Sequence, residues 1–416
     1  MKNKKYLAWI FSSLSLNKML TISSFLINHL SENFEKIYFI NMYKLKIFTH
    51  LLPQTQTFYG KEFSYEVDNK FKVPNNIEIF IPKTTKDFED FMIGKELIAI
   101  SSMGRSLSDL KINFLLGRHP IKQVQIQNIG FHNTSSKWLN SSFWKNFTFK
   151  LNKYYGHKLY VLLSNFGLVP KIQIRFTSSS KIIDIINKSF VKKILFYLKL
   201  FYVKEFVLIN SRSFDMFKKN KIETSEHKIV LIDSMLADPI IDPEGTAYGG
   251  FGNEATAEKH YYYLKKLINN LSNMYNKEVV VCLHPHDNLE IKKKYFPNLE
   301  VVQYQTPENV HKAFLVLFFD SSSIVEAIFH KKRILTLFSN YLGENTANHR
   351  LMWVKQVGFL SINIEDEIKI DNNQLLSKLD DAKKNYSNYI KSYLAPDGNN
   401  IGFEKIIKTL KERFFH

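Results

Sequence analysis

The chain has 416 residues, 45% of them hydrophobic and 14% aromatic, enough for two packed cores. Its 57 basic and 39 acidic residues give a formal charge of +18, which indicates an anionic partner such as a phosphorylated substrate, lipid headgroups or nucleic acid. Only 15 glycines argue against a disordered, glycine-rich binder. The single cysteine, Cys282, excludes an internal disulfide and fits a reducing compartment.

The N-terminal segment has the basic head and short apolar stretch of a signal peptide, but no A-x-A-like cleavage site. We interpret it as a strand, Tyr6–Phe11, followed by a serine-rich turn and an amphipathic helix, Asn17–Leu30. No apolar run reaches the about 18–20 residues needed to span a bilayer. The sequence therefore predicts a cytoplasmic protein.

Strand-like and helical runs alternate along the first part of the chain. The strands Ile77–Pro82, Glu96–Ser102 and Lys122–Gly130 are separated by helical segments, which predicts a parallel sheet with crossover helices. Residues 134 to about 220 are less regular, although "KIQIRFT" is a strand candidate. We expect this segment to end the first domain and form a largely helical connection.

A basic, aromatic stretch, "SFVKKILFYLKLFYVKEF", lies in that connection. Helical spacing places Ile194, Leu198 and Phe201 on one face. Such a helix either packs on the protein's own core or lies on an anionic membrane surface, with its lysines directed to the headgroups. The lysines concerned are Lys192, Lys193, Lys199 and Lys204.

A second alternation of strands and helices begins at His227 and continues to a helical C-terminus. The predicted fold is therefore α/β, with two Rossmann-like domains whose parallel sheets face each other across a cleft. The predicted domains are residues 1–220 and 221–416, with the boundary near residues 210–228.

Polar residues follow the strands of the second half at the point where each strand ends. In open α/β sheets, ligands bind outside the carboxyl ends of the strands, near the point where the strand order reverses. Ordinary helix capping would explain any one of these positions, but explains the whole row less well. The positions are Asp233-Ser234, His284 to Asp287, Asp320 to Ser323 and Ser339-Asn340.

Two of these positions predict contacts with phosphate. Ser321, Ser322 and Ser323 open a helix and would offer hydroxyls beside its unpaired N–H groups, although no P-loop pattern is present. In "LHPHDN", Pro285 fixes the backbone after His284, whose imidazole could donate to a phosphate oxygen or protonate a leaving group.

A metal site at "HPHDN" is the weaker interpretation. His284, His286 and Asp287 are metal-ligand types, but no second cluster of His, Cys or Asp at zinc spacing supports them. The sequence therefore predicts no metal and no cofactor.

The His-Pro after one strand and the serine helix start some 35 residues later resemble the GT-B glycosyltransferases that use CMP-activated acid sugars, the bacterial sialyltransferases and Kdo transferases. The closing segment from Tyr389 to Leu410 also resembles the C-terminal helix of polysaccharide-assembly transferases, including the CDP-glycerol family. The resemblance covers roughly residues 227–412, and none extends to the N-terminal half.

The resemblance implies a transferase that moves a sialic-acid-type or Kdo-type sugar from CMP to a surface glycan or glycolipid. The excess of basic residues fits a cytoplasmic protein attached peripherally to the inner membrane face. His284 and Pro285, with the serines Ser321 to Ser323, would bind the CMP phosphate. The second domain would bind the nucleotide sugar and the first the acceptor. The alternatives are CDP-glycerol or polyol-phosphate transfer and a non-catalytic GT-B-like subunit. Nucleic acid is not expected as a partner, because no RNA- or DNA-binding signature is present.

The acidic motif of the sialyltransferases is not cleanly present, so the catalytic base and the stereochemical course stay open. Its nearest equivalent is "DPEG", with Asp242 and Glu244, in the second half of the chain instead of the first. Asp238 or Asp242 would serve as base or nucleophile, with Glu244 as a further candidate. The alternative is a solvated surface loop.

Two features of the first half resemble binding-site features. Arg105 is expected to be a plain surface residue, the alternative being a pair with a substrate carboxylate. His119-Pro120 repeats the His-Pro dipeptide but precedes a strand, so it belongs to the opposite edge of its sheet.

Overall fold

The structure is a computed structural model. It describes residues 4–12, 26–47, 73–127, 143–197, 201–219, 225–233, 254–283, 289–319, 321–341, 353–366 and 371–415.

The first half of the chain forms a seven-stranded sheet in the order β3-β2-β1-β4-β5-β6-β7, and every neighbouring pair is parallel. The six central strands of the Rossmann fold have the order 3-2-1-4-5-6, which this sheet reproduces and extends by one. Its strands are β1 (Lys4–Phe11), β2 (Ile37–Asn41), β3 (Ile77–Phe80), β4 (Lys95–Ser101), β5 (Ile121–Gln127), β6 (Ile172–Thr177) and β7 (Val203–Leu208).

The second half forms a six-stranded parallel sheet in the order β10-β9-β8-β11-β12-β13, which is the same Rossmann order. Its central strands are almost entirely apolar, as strands covered by helices on both faces must be. These strands are β8 (Lys228–Ile232), β9 (Glu278–Leu283), β10 (Glu300–Gln303), β11 (Ala313–Phe318), β12 (Arg333–Phe338) and β13 (Leu360–Asn363).

Helices cover both sheets. Residues 26–33 and 353–357 are also helical. The remaining helices are α1 (Thr85–Met92), α2 (Leu110–Gly117), α3 (Phe143–Asn165), α4 (Ser180–Lys188), α5 (Phe190–Tyr197), α6 (Arg212–Lys219), α7 (Glu254–Tyr275), α8 (Leu289–Tyr295), α9 (Thr306–His311), α10 (Ile324–Phe329), α11 (Asn372–Ala382), α12 (Tyr386–Tyr389) and α13 (Gly402–Leu410).

The predicted α/β fold class is confirmed: the chain has two parallel sheets, each with the Rossmann strand order. Within the described ranges, no helix is long and apolar enough to cross a membrane. The boundary predicted near residues 210–228 stays a prediction, although the last strand of the first sheet ends at Leu208 and the first strand of the second begins at Lys228.

The connection predicted to be largely helical contains two strands. "KIQIRFT" is confirmed as β6, and the single helix expected in the basic stretch is wrong, because α5 ends at Tyr197 and Val203 begins β7. Val203 is buried beside Tyr202, and Lys204 is exposed on this edge strand. Val203–Leu208 forms a strand and not a helix because it pairs with β6. This pairing provides hydrogen-bond partners for its backbone groups and packs its apolar side chains.

The C-terminal helix α13 packs on the first sheet, although the second sheet precedes it in the chain. Its apolar residues join a core with Leu7, Trp9 and Ile98. The side-chain amide of Asn210 donates to the carbonyls of Gly398 and Asn400 and fixes the approach of the helix. The apolar residues of the helix are Phe403, Ile406, Ile407 and Leu410.

The start of α13 is also anchored. The buried carboxylate of Asp215 accepts hydrogen bonds from the backbone N–H groups of Gly402 (2.8 Å) and Phe403 (3.1 Å). A Cβ atom on Gly402 would lie 2.3 Å from the carbonyl oxygen of Asn210, so only glycine fits there. The helix is therefore held against the first sheet at its first residues and along its apolar face.

Candidate functional site

Strand order reverses beside the first strand of each sheet. In the first sheet the chain crosses from β3 to β4, on the other side of β1, and in the second from β10 to β11, on the other side of β8. Ligands of open parallel sheets bind at the carboxyl ends of such strand pairs. The residues that follow β1 and β4, and β8 and β11, therefore form the two candidate binding edges.

At the second edge, a buried ion pair follows β8. The ammonium of Lys292 lies 2.7 Å from the carboxylate of Asp233, and both side chains are almost fully buried. Lys292 also donates to the hydroxyl of Tyr261 on α7. Because Lys292 belongs to α8, the pair ties the helix after the His-Pro loop to the end of β8.

His260 lies next to this ion pair on α7. Its ring packs against Tyr261 and Phe319, and the residue is 2% exposed. Burial, and then the positive charge of Lys292, lowers the pKa of His260 to about 3. The imidazole is therefore neutral near pH 7.

The serine motif follows β11, as expected for the switch point. The hydroxyl of Ser321 accepts a hydrogen bond from the backbone N–H of Ser323 (3.2 Å), Ser322 is exposed, and the other two serines are half-buried. The helix that follows, α10, has six residues. The three serines thus lie at the carboxyl edge of the second sheet, and their contact with a donor phosphate stays a prediction.

A carboxylate that the sequence analysis did not select also lies at this edge. Glu365 follows β13 and accepts hydrogen bonds from the hydroxyl of Ser339 (2.7 Å) and the backbone N–H of Asn340 (2.8 Å). It therefore fixes the turn after β12. Glu365 belongs to the same row of polar residues after strands, so the pattern could have included it.

Several predicted site residues lie outside the described residues. The structure says nothing of the His-Pro loop or of the acidic loop after β8, so their predicted roles stay predictions. These residues are Asp238, Asp242, Glu244, His284, Pro285, His286 and Asp287.

At the first edge, two arginines share one acceptor. The side-chain oxygen of Gln125 accepts a hydrogen bond from Arg105 (2.9 Å) and another from Arg175 (2.5 Å). The guanidinium carbons lie 4.3 Å and 5.2 Å from the ring centroid of Tyr202. Arg105 is half-buried, so the expectation of a plain surface residue is wrong.

Within the described part of the chain, neither arginine forms an ion pair with a carboxylate. Arg175 is 8% exposed, and its Nε has no hydrogen-bond partner. Burial lowers the pKa of Arg175, and burial together with these two positive charges lowers the pKa of nearby His157. Two adjacent cations without a counter-ion favour an anionic ligand.

The loop that carries Arg105 is held on both sides. The carboxylate of Asp109 accepts a hydrogen bond from the hydroxyl of Ser106 (2.6 Å). The same carboxylate lies so close to Gly104 that a Cβ atom there would be 2.2 Å from its oxygen. On the other side, a Cβ on Gly156 of α3 would lie 2.5 Å from the backbone of Leu107. This close packing fixes the loop after β4 and hence the position of the guanidinium.

Similarity to known proteins extends to overall structure only. No protein-family model and no curated protein sequence matches the chain. It is similar to the UDP-GlcNAc 2-epimerase of Methanocaldococcus jannaschii in complex with UDP-GlcNAc and UDP, with 12% identity, 98% of this chain and 100% of that chain covered, and a TM-score of 0.44.

Two further solved structures are similar at the same level. The UDP-GlcNAc 2-epimerase of Neisseria meningitidis bound to UDP-GlcNAc has 13% identity, coverage of 99% and 100%, and a TM-score of 0.46. Arabidopsis thaliana UGT89C1 complexed with UDP has 10% identity, coverage of 98% of each chain, and a TM-score of 0.45. Values this low carry no argument about function, so the fold class rests on the strand orders above.

Sequence reasoning missed Lys292 and Arg175 for different reasons. Lys292 is one of three consecutive lysines, and only the fold shows which of them is buried. Arg175 interrupts an apolar strand, "IQIRFT", and a charge in such a strand is a signal that could have been used. The expectation for His119 is confirmed, since it precedes β5 and packs on Phe88.

Proposed function

We propose that the protein is a nucleotide-sugar-dependent glycosyltransferase that binds its donor at the carboxyl edge of the second sheet. The observation that carries the proposal is the position of the serine motif, which follows β11 beside β8, where the strand order reverses. The buried pair of Asp233 and Lys292 supports it, because this pair fixes the helix after the His-Pro loop.

The finer proposal is a CMP-activated acid sugar of the sialic acid or Kdo type, and it rests on the sequence resemblance. The leaving group of a CMP-sugar is CMP, whose phosphate already carries a negative charge. The proposed transfer therefore needs hydrogen-bond donors to that phosphate and no metal. The acceptor would be an anionic glycan or glycolipid bound in the first domain. Arg105 and Arg175, two cations beside aromatic rings, support that choice of acceptor.

Calorimetric titration of CMP, CDP and UDP, followed by donor hydrolysis with sugars on each nucleotide, tests the proposal. We expect His284→Ala to weaken donor binding or turnover roughly ten- to a hundredfold, because a charge-assisted hydrogen bond to phosphate is worth about 1.5–3 kcal/mol. Replacing Ser321 and Ser322 together by alanine should have a similar effect. His286→Ala is the matched control and should change much less.

The outcomes separate the possibilities. Preference for CDP with transfer of a polyol phosphate would replace the CMP-sugar assignment while leaving the donor site in place. Unchanged donor binding in both the His284→Ala and the serine variants would show that these residues only end their strands. The proposed donor site at the carboxyl edge of the second sheet would then be wrong.

Attachment to an anionic membrane surface is a further part of the proposal. Helix α5 exposes Phe190 (76%), Ile194 (39%) and Tyr197 (85%), with Lys193 also exposed. Apolar side chains beside lysines fit a headgroup interface. Sedimentation with anionic vesicles at low salt should carry the protein down, and the variant with Lys192→Glu and Lys193→Glu should stay in solution. Equal sedimentation of both would contradict the membrane role of this helix.

A further inference from the structure

A cluster of three metal-ligand side chains lies at the amino edge of the second sheet, opposite the proposed donor site. His311 ends α9 just before β11 begins, and His330 follows α10 just before β12 begins. Glu326 lies one helical turn before His330, on the same face of α10. One ligand atom from each of the three residues lies within 4.8 Å of the other two.

Two imidazole nitrogen atoms of this cluster have no hydrogen-bond partner. His311 is 2% exposed, and its Nδ1 has no hydrogen-bond partner. The Nε2 of His330 is also buried without one. The two rings are in contact, with their centroids 3.7 Å apart and their planes inclined by 52°. Buried polar atoms are nearly always paired, so two unpaired imidazole nitrogens side by side indicate a missing common partner.

The neighbours of the cluster leave one side open. Phe217 packs against His330 with a centroid distance of 5.0 Å, and the ammonium of Lys332 is engaged 2.9 Å from the carbonyl oxygen of Ser225. Glu326 and His330 are half-buried, so this side of the cluster lies near the protein surface.

We propose that His311, Glu326 and His330 form a binding site for a divalent transition-metal ion of the Zn²⁺ type. Two imidazoles and one carboxylate are a common zinc ligand set that leaves a fourth position for water. Tetrahedral ligands at about 2.0–2.1 Å from zinc lie about 3.4 Å apart, so ligand atoms that now lie within 4.8 Å of one another would move together by at most about 1.4 Å on binding. The cluster is not apparent from the sequence, because His311 lies 15 residues before Glu326 with β11 between them, and only the fold brings the three side chains together.

The position of the ion would let it link two helices. It would join α9 to α10, and α10 is the helix that begins at the serine motif. Metal binding would therefore hold that helix in place from the end opposite to the serines. This site does not depend on the proposed transferase activity.

The test uses the full chain without a histidine tag, freed of metal by a chelator. Zn²⁺ is titrated in competition with a chromophoric chelator, and Co²⁺ is used as a spectroscopic probe of nitrogen coordination. We expect one ion per chain, a rise in melting temperature with Zn²⁺, and visible Co²⁺ bands. Glu326→Gln and His330→Ala should each weaken Zn²⁺ binding at least about tenfold.

Matched controls are available at the same edge. His227→Ala removes an exposed histidine just before β8, and Glu278→Gln removes an exposed carboxylate at the start of β9. Both should leave the Zn²⁺ affinity within about twofold of the parent, whereas His330→Cys, which supplies another zinc ligand, should retain binding. Glu326→Gln keeps the size of the side chain, so its circular dichroism shows whether the fold survives.

Two results would overturn the proposal. One is an absence of stoichiometric Zn²⁺ binding to the parent chain. The other is an affinity and a Co²⁺ spectrum that are the same in Glu326→Gln, His330→Ala and the parent, which would place any bound ion elsewhere.

Discussion

The carboxyl edges of the two sheets hold buried charge in different ways. At the second edge, the ammonium of Lys292 is fully buried and lies 2.7 Å from the carboxylate of Asp233. At the first edge, Arg105 and Arg175 share the neutral oxygen of Gln125, and no described carboxylate forms an ion pair with them. A neutralised pair needs no ligand, whereas two adjacent cations that share one neutral acceptor favour the binding of an anion.

The largest loss of stability is expected when one member of the neutralised pair is removed. Lys292→Met would leave the carboxylate of Asp233 buried without its partner, and we expect it to lower the free energy of unfolding by about 3–5 kcal/mol. Urea denaturation measures the loss. Lys293→Met, at an exposed neighbouring lysine, is the control.

The double variant with Asp233→Leu and Lys292→Met sharpens the test, because apolar residues that replace both partners should recover most of the lost stability. If Lys292→Met alone were as stable as the parent, the ion pair would not be what holds α8 to the end of β8.

A second prediction concerns pH and the same edge. The pKa of His260, about 3, lies below the 6.5 of an unfolded histidine, so the unfolded chain binds a proton that the folded chain does not. This residue's contribution to stability is complete above pH 6.5 and is lost as the pH falls toward 3. Between pH 7.5 and 5 the loss should be about 2 kcal/mol.

Denaturation curves at several pH values measure this slope for the parent and for His260→Phe, which should be flatter. His227→Gln, at an exposed histidine, should keep the parent's slope. An equally steep slope in His260→Phe would assign the acid sensitivity to other groups.

The smallest expected effect lies at the first edge. Arg175→Met removes one of two adjacent buried cations, so the relief of repulsion offsets lost contacts with Tyr202, and stability should change by no more than about 1 kcal/mol. Binding of an anionic acceptor should nevertheless weaken, and the parent's rise in melting temperature with inorganic phosphate should shrink.

Arg333→Met is the matched control, because Arg333 is paired with Asp380 at 3.0 Å and 3.1 Å. Its phosphate response should equal the parent's. A large loss of stability in Arg175→Met, with an unchanged phosphate response, would make the two arginines part of the scaffold and remove the contrast between the edges.

The parts of this molecule that the sequence predicts are those set by local pattern. Apolar runs bounded by polar residues predict β8, β9, β11 and β12, and the alternation of strands and helices predicts two parallel sheets. The sequence fails at β7, because Val203–Leu208 has the composition of its neighbouring helix and becomes a strand only by pairing with β6. Local sequence preferences carry no information about that long-range contact.

The candidate sites show the same division. Ser321 follows a strand and is found from the pattern alone. Arg175, Lys292 and the group around His311 depend on which side chains the fold brings together from distant positions. The physical signal for such residues is a buried charge or a buried nitrogen without a hydrogen-bond partner, and it exists only in three dimensions.

The packing of α13 on the first sheet has a consequence for how the protein is made. Roughly 190 residues separate the end of β7 at Leu208 from Gly402, where α13 begins. At about 5–20 residues per second, a ribosome needs on the order of 10–40 s to synthesise that stretch. During this time, the apolar face around Leu7 and Trp9 has no α13 to cover it. The half of the protein that is translated first is therefore the last to close its core, and the nascent chain needs protection from aggregation until α13 has left the ribosome.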